Sequence, residues 1–219
     1  MKQSSSVQII VIMLVALTTI AASAWITWQL IDGNRSTPAG TQSVAVQSPI
    51  SLGGPFTLIN HKGEAVTDAS FHGQYMLVFF GYGYCPDVCP TELANMAAAM
   101  DYLGPAADKV QPVFISVDPA RDTPEYLAQY VSHFHPKLIG LTGTESEIQK
   151  VAKAYRVFYA KAPSEKPDDY LVNHSSFVYL MGPDGAYVAL FRHQTDPKEM
   201  ANAIAEFIAG RRKVSLNSR

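Results

Sequence analysis

Tyr75-Met76-Leu77-Val78-Phe79-Phe80-Gly81-Tyr82-Gly83-Tyr84-Cys85-Pro86-Asp87-Val88-Cys89-Pro90 is the stretch that decides how this chain is built. Its first six residues are a continuous apolar run, the pattern of a strand buried on both faces. Gly81-Tyr82-Gly83-Tyr84 reads as the loop that follows. Pro90 suits the first turn of a helix, where its missing N–H costs little. From Thr91 to Leu103 a helix is expected, because Leu93, Met96, Ala97 and Met100 fall at helical spacing.

Further units of the same kind lie downstream. Val110 to Val117 is a second buried strand, ending at Asp118-Pro119. Asp122-Thr123-Pro124-Glu125 starts a helix whose apolar stripe is Tyr126, Leu127, Tyr130, Val131 and Phe134. Leu138 to Leu141 is a short strand. Thr144-Glu145-Ser146-Glu147 opens another helix, with Ile148, Val151, Ala152 and Tyr155 facing inward. Phe177 to Met181 and Ala186 to Phe191 flank the turn Gly182-Pro183-Asp184-Gly185, and Pro197 to Ala209 is the last helix. Upstream, Pro55 to Ile59 and Ala65-Val66 form a hairpin around His61-Lys62-Gly63. Such alternation builds an α/β fold, a central mixed sheet with flanking helices and added hairpins.

At the N-terminus, residues 7–31 carry no charged side chain, and 25 residues are enough to cross a bilayer with some tilt. Trp25 and Trp28 fall where interfacial aromatics concentrate. Ala22-Ser23-Ala24 resembles a signal-peptide cleavage site, but the apolar run continues past it, which favours an uncleaved single anchor. Either way the domain is exported, and a bacterial inner membrane with the domain in the periplasm fits best. The expected organisation is a cytoplasmic stub at 1–6, a transmembrane anchor at 7–31, a flexible linker at 32–50, the domain at 51–213 and a tail at 214–219. The linker composition, rich in Gly, Ser, Thr, Gln and Pro, suits a tether.

Charge excludes one class of partner. The whole chain carries 17 basic and 19 acidic residues. Lys2 is the only charged side chain before residue 32, so the remainder is mildly acidic and a poor match for nucleic acid. Arg211-Arg212-Lys213 reads as a solvated helix end.

The two cysteines of the chain, Cys85 and Cys89, follow a buried strand and open a helix, where α/β sheets present ligands. In a helical turn their Cα atoms would lie roughly 6 Å apart, inside the disulfide range. A helix N-terminus also favours thiolate. One geometry therefore permits a disulfide, a redox pair or two soft metal ligands. Two thiolates are too few for structural zinc. Copper accepts two sulfurs, and adding one imidazole gives a set that Cu(II) also tolerates. A structural disulfide is the competing reading, although a bridge closing so small a loop adds little entropic stability. The third ligand would come from His61, His72, His133, His135, His174 or His193. His61 and His72 read as exposed turn and loop residues, His133 and His135 as a helix end, and His193 as a strand end beside Arg192. His174, at a strand start after a polar loop at 162–173, is a plausible ligand, but the pattern alone does not select it.

Three motifs together do. Tyr82-Gly83-Tyr84-Cys85-Pro86-Asp87-Val88-Cys89-Pro90, Ser116-Val117-Asp118-Pro119-Ala120-Arg121-Asp122-Thr123-Pro124 and Asn173-His174-Ser175 strongly resemble the Sco (SenC) family, with similarity running from about Phe56 to Phe207. The resemblance implies a thioredoxin-like fold, commonly behind an N-terminal membrane anchor. It implies a copper chaperone and thiol-disulfide reductase that assembles the dinuclear copper centre of cytochrome c oxidase. The partners it implies are the copper-bearing oxidase subunit, together with other periplasmic copper chaperones or thiol reductants. Carried over by motif, Cys85, Cys89 and His174 are the copper ligands, and Cys85 and Cys89 the redox pair. The chain departs from the family at Gly83-Tyr84, where Thr-His or a similar pair is usual, and at Asn173, where Asp is usual. Asp118 is expected either to support the site loop or to lie in a strand-end turn with Asp122 as an N-cap, and Asp87 to be exposed.

Two other readings use the same residues. A thiol-disulfide oxidoreductase without metal would use the cysteine pair, although that fold normally spaces its thiols as C-x-x-C. A peroxidase would need a Thr and an Arg beside its reactive Cys, and neither flanks Cys85.

Overall fold

The apolar run at the heart of the sequence becomes a strand, Tyr75–Gly81, with every residue after the first buried. The computed structural model describes residues 52–165 and 169–211. In chain order the strands are β1 (Thr57–Asn60), β2 (Ala65–Thr67), β3 (Tyr75–Gly81), β4 (Val110–Ser116), β5 (Ile139–Thr142), β6 (Tyr159–Lys161), β7 (Val172–His174), β8 (Val178–Met181) and β9 (Tyr187–Phe191). The helices are α1 (Val88–Leu103), α2 (Pro124–Ser132), α3 (Glu145–Ala154) and α4 (Pro197–Ile208), with short 3-10 segments at Asp68–Phe71 and Gly104–Lys109.

Seven strands form one sheet in the order β2-β1-β5-β4-β3-β8-β9. β3, β4 and β5 run parallel, while β1 and β8 pair antiparallel with β5 and β3. The most apolar strands, β3 and β4, take the sheet's interior, since only there are both faces covered. Their register pairs Gly81 with Ser116, so the two loops that follow emerge side by side. α1 and α4 pack on each other, α2 packs on β5 and α3 on β1. Leu77, Phe79, Phe80, Val113, Phe114 and Ile115 are fully buried. Each such side chain contributes roughly 1.5–3 kcal/mol of transfer free energy.

Most expected elements form within a residue or two of their expected ends. Thr144 and Glu147 make the anticipated capping box of α3. Three differences matter. α1 begins at Val88, three residues before the expected start, and so takes Cys89 into its first turn. The polar stretch read as a loop at 162–173 contributes to a two-stranded ribbon, in which β6 pairs antiparallel with β7. Three-residue strands give too short a period to read, and this ribbon stands apart from the main sheet. Finally, Asp122 is not an N-cap: Thr123 caps α2, its Oγ1 accepting from Tyr126 N at 3.3 Å.

Among the described residues no helix is long and apolar enough to cross a membrane. The expected stub, anchor and linker at 1–50, and the tail at 214–219, lie outside the described residues.

Candidate metal centre

β3 delivers the chain to the site. Val117 N–H donates to Gly81 O at 2.8 Å, which extends the β3–β4 pairing by one bond. Cys85 N–H donates to Tyr82 O at 3.2 Å and turns the loop. α1 then starts at Val88, and Cys89 N–H donates to Cys85 Sγ at 3.4 Å. Cys85 is half-buried and Cys89 fully buried, and both are free thiols. A Cβ on Gly81 would lie 2.7 Å from Cys89 Sγ, so glycine here makes room for the sulfur over the strand end.

The β6–β7 ribbon brings the third group. His174 lies opposite Tyr159 at the end of β7, its ring edge-on to Phe79 at 6.0 Å and Tyr82 at 5.9 Å. His174 Nδ1 faces Ser175 O at 3.1 Å. A carbonyl only accepts, so Nδ1 carries the ring proton and Nε2 carries the lone pair. That lone pair faces Cys89 Sγ at 3.2 Å. Cys85 Sγ, Cys89 Sγ and the ligating nitrogen of His174 all lie within 4.8 Å of one another.

The two thiols are driven apart in acidity. The hydrogen bond from Cys89 holds Cys85 well below the ordinary thiol range, helped by the backbone N–H groups of Asp87 and Cys89 and opposed by burial. The same bond, with burial, pushes Cys89 up. Cys85 is therefore a ready thiolate, while Cys89 keeps its proton until a ligand displaces it. Iodoacetamide at pH 6 should consequently modify Cys85 well ahead of Cys89, as peptide mass spectrometry would report. Equal labelling would contradict this asymmetry.

The loop after β4 braces the arrangement. Asp122 is fully buried, and its Oδ2 accepts from Gly83 N at 2.9 Å and from Ser116 Oγ at 2.5 Å. Tyr126 Oη donates to Gly83 O at 3.1 Å, so both backbone groups of Gly83 are held. Asp118, also buried, takes Tyr170 Oη on Oδ1 at 2.7 Å and Arg121 Nε on Oδ2. Asp118 is therefore a support of the site, as one of its two expected roles has it.

With this geometry in place, comparison with known proteins is decisive. The SCO1/SenC family model matches residues 44–209. The chain belongs to the SCO1/SenC family. It is 45% identical to the human mitochondrial protein SCO1 homolog over 166 residues, 75% of this chain and 55% of that protein. It thus spans a little over half the length of that curated relative. Among solved structures, Arabidopsis thaliana ScoI with copper bound is 44% identical with a TM-score of 0.69, covering 73% of this chain and 99% of that one. Bradyrhizobium japonicum ScoI with copper bound is 45% identical with a TM-score of 0.67, covering 71% and 99%. The mixed sheet with flanking helices is common to them, which fits the expected thioredoxin-like fold.

Within this SCO1/SenC chain the remaining histidines have other occupations. His61 is half-buried rather than exposed: its Nδ1 accepts from Gly140 N at 3.1 Å, and burial lowers its pKa. His72 and His133 are exposed. His135 Nδ1 accepts from Lys137 N at 3.1 Å, and burial lowers its pKa too. His193 Nδ1 meets the fully buried Glu92 Oε2 at 2.8 Å, tying α1 to the segment before α4. Among the described residues, Cys85, Cys89 and His174 are the one His/Cys/Asp/Glu group able to hold a metal. Asp87 is exposed, as expected.

The Gly83-Tyr84 departure has a structural counterpart. A Cβ on Gly83 would lie 2.3 Å from Tyr126 Cε1, and Tyr84 stacks on Tyr126 at 4.9 Å and 11°. Tyr126 thus fills the space that a side chain at 83 would take. Asn173 is exposed and alternates with His174 along β7, which puts it on the opposite face of the ribbon.

Asp122, Ser116, Tyr126, Tyr170 and Arg121 are the supporting residues that sequence reasoning missed. The motif around Arg121 was visible, but its partners are distant in the chain. Burial raises the Asp122 carboxyl to about 6, against the hydrogen bonds from Ser116 and Gly83. A carboxyl raised in the folded state binds protons more tightly there than in the unfolded chain. Its contribution is fully present below the unfolded value near 3.8 and is lost as pH rises through about 6. The expected loss is about 3 kcal/mol at most. Asp122→Asn should flatten the fall in urea midpoint between pH 4 and pH 7 relative to the parent, and an unchanged slope would contradict the assignment.

Proposed function

We propose that this chain is a copper-carrying SCO1/SenC protein that serves the assembly of the dinuclear copper site of cytochrome c oxidase. One observation carries the reading: two sulfurs and an imidazole nitrogen converge within 4.8 Å at the mouth of a βα loop. The donor set fits copper, being soft, three-membered and short of the four ligands of structural zinc. The copper-bound relatives at 44% and 45% identity support it. Copper here is cargo. Cys85 offers a thiolate at the half-exposed edge, Cys89 a buried sulfur that gives up its proton on binding, and His174 a lone pair fixed by Ser175. Such a set retains a soft ion while leaving the Cys85 side open to a competing thiolate, which suits transfer by ligand exchange. The apolar segment at 7–31 supports an anchor in a bacterial inner membrane with the domain on the periplasmic side, beside an oxidase subunit in the same membrane.

A second activity of the same pair is favoured by the split acidity of its thiols. Loss of two electrons and the Cys89 proton joins the Cys85 thiolate to Cys89, and a partner disulfide would accept them, yielding one thiol and one thiolate on the partner. Copper loading requires the reduced pair, so the two activities alternate.

The test is copper content and visible absorption of the purified, reduced 219-residue chain, beside Cys85→Ser. One copper per chain with a thiolate-to-copper band, lost in the variant, is the expected result. No copper above background, with the pair cycling against a dithiol, would replace carriage by the oxidoreductase reading.

A further inference from the structure

The ligands of this site arrive on two separate pieces of chain. Cys85 sits on the loop after β3, and His174 on the β6–β7 ribbon, 85 residues beyond Cys89. Backbone pairing fixes Gly81 at one end of the loop and α1 at the other, and Asp122 and Tyr126 hold Gly83. None of these bonds reaches the ribbon.

Arg121 does. Its guanidinium carbon lies 3.7 Å from the Tyr170 ring centroid, 4.8 Å from that of Tyr84 and 5.8 Å from that of Tyr82. Tyr84 and Tyr82 belong to the cysteine loop, and Tyr84 immediately precedes Cys85. Tyr170 lies two residues before β7, the strand that ends in His174, where Ala162 N–H donates to Leu171 O at 2.8 Å. Asp118 locks the assembly from beneath, binding Arg121 Nε and Tyr170 Oη with its two oxygens while itself 1% exposed. Tyr84 is 50% exposed yet stacked within 11° of Tyr126, so its ring is held on two sides. A planar guanidinium can stack on aromatic faces and keep its in-plane Nε–H for the carboxylate, whereas a lysine ammonium cannot do both.

We propose that the Tyr84–Arg121–Tyr170 stack, secured by Asp118, is the positioning device that holds the Cys85 loop and the His174 ribbon at ligating distance. This rests on the copper reading above. Tyr84 stands where the family usually carries another residue, so one arm of the device is this chain's own. The device touches no metal; it acts through Cys85 and His174.

The experiment compares the full chain with Arg121→Lys, Tyr170→Phe and Tyr84→Ala, with His174→Ala as reference. Copper affinity is measured by chelator competition, and nitrogen coordination by the electron paramagnetic resonance of the Cu(II) form. Arg121→Lys and Tyr170→Phe should weaken copper binding roughly 10- to 100-fold, the range for losses outside the ligand sphere. They should also diminish the nitrogen hyperfine signal, while the metal-free far-UV circular dichroism of both variants stays that of the parent. Tyr84→Ala combined with Arg121→Lys should lose less than the product of the single losses, because both break one stack. Parent-like affinity and nitrogen signal in Arg121→Lys and Tyr170→Phe, with binding impaired in His174→Ala, would overturn the inference and leave the copper reading standing. A parent chain that takes no copper would overturn the copper reading instead. The metal-free proton contact between the His174 ring and Cys89 Hβ then decides the stack: its loss in Arg121→Lys supports the device, and its persistence overturns it.

Discussion

His174→Ala should abolish stable Cu(II) binding and strip the nitrogen signature, while leaving the two sulfurs able to hold Cu(I) in a weaker, two-coordinate form. The argument is one of donor count. Cu(I) accepts two soft ligands, but Cu(II) draws on the imidazole as well. Losing a direct ligand should exceed the roughly 10- to 100-fold cost of an outer-shell loss. The fold should survive, because His174 is a half-buried ribbon residue whose contacts with Phe79 and Tyr82 are edge-on. Circular dichroism would confirm that, and copper titration of both oxidation states would read the effect. Unchanged Cu(II) binding in the variant would sink the three-ligand site, whatever the cysteines do.

Gly83→Thr should be the most damaging single change in the loop, even though it installs a residue usual in the family. No left-handed backbone is involved, so the penalty is space alone. The first carbon of the new side chain would meet Tyr126 Cε1 at 2.3 Å and Asp122 Oδ1 at 3.0 Å. Overpacking of this kind costs about 1–3 kcal/mol. Pushing Tyr126 aside also breaks its 3.1 Å bond to Gly83 O, which loosens the loop one residue before Tyr84 and two before Cys85. Gly83→Thr with Tyr126→Ala should recover most of the lost stability, since the second change empties the contested volume. Urea midpoints of the two singles and the double would measure the coupling. Additive losses would show that the glycine and the tyrosine do not share that space.

How much of this was legible depends on the distance over which each signal acts. The run at Tyr75–Phe80 announced a doubly covered strand because its apolar residues are contiguous, and it became β3, paired on both sides. Thr144 and Glu147 announced a helix start because a capping box is complete within four residues. The cysteines announced a paired-thiol site because a helical turn places positions four apart on one face. The imidazole was a different case. Six histidines competed, and residue pattern alone could not rank His174 above the others; the family resemblance chose it before the geometry did. The ribbon that carries it was read as a loop, because strands of three residues have no period to detect.

The sequence by itself determined the α/β architecture, the order of its main strands and helices, the thiol pair at a helix start and the family. Each of these is written in neighbouring residues, through hydrophobic period, capping and motif. Only the tertiary structure decided how His174 is brought to the sulfurs, that Asp122 braces Gly83 instead of capping α2, and that Arg121 lies between Tyr84 and Tyr170. Those pairings depend on which strands lie side by side, and strand order is set by burial over the whole sheet rather than by any local stretch of chain.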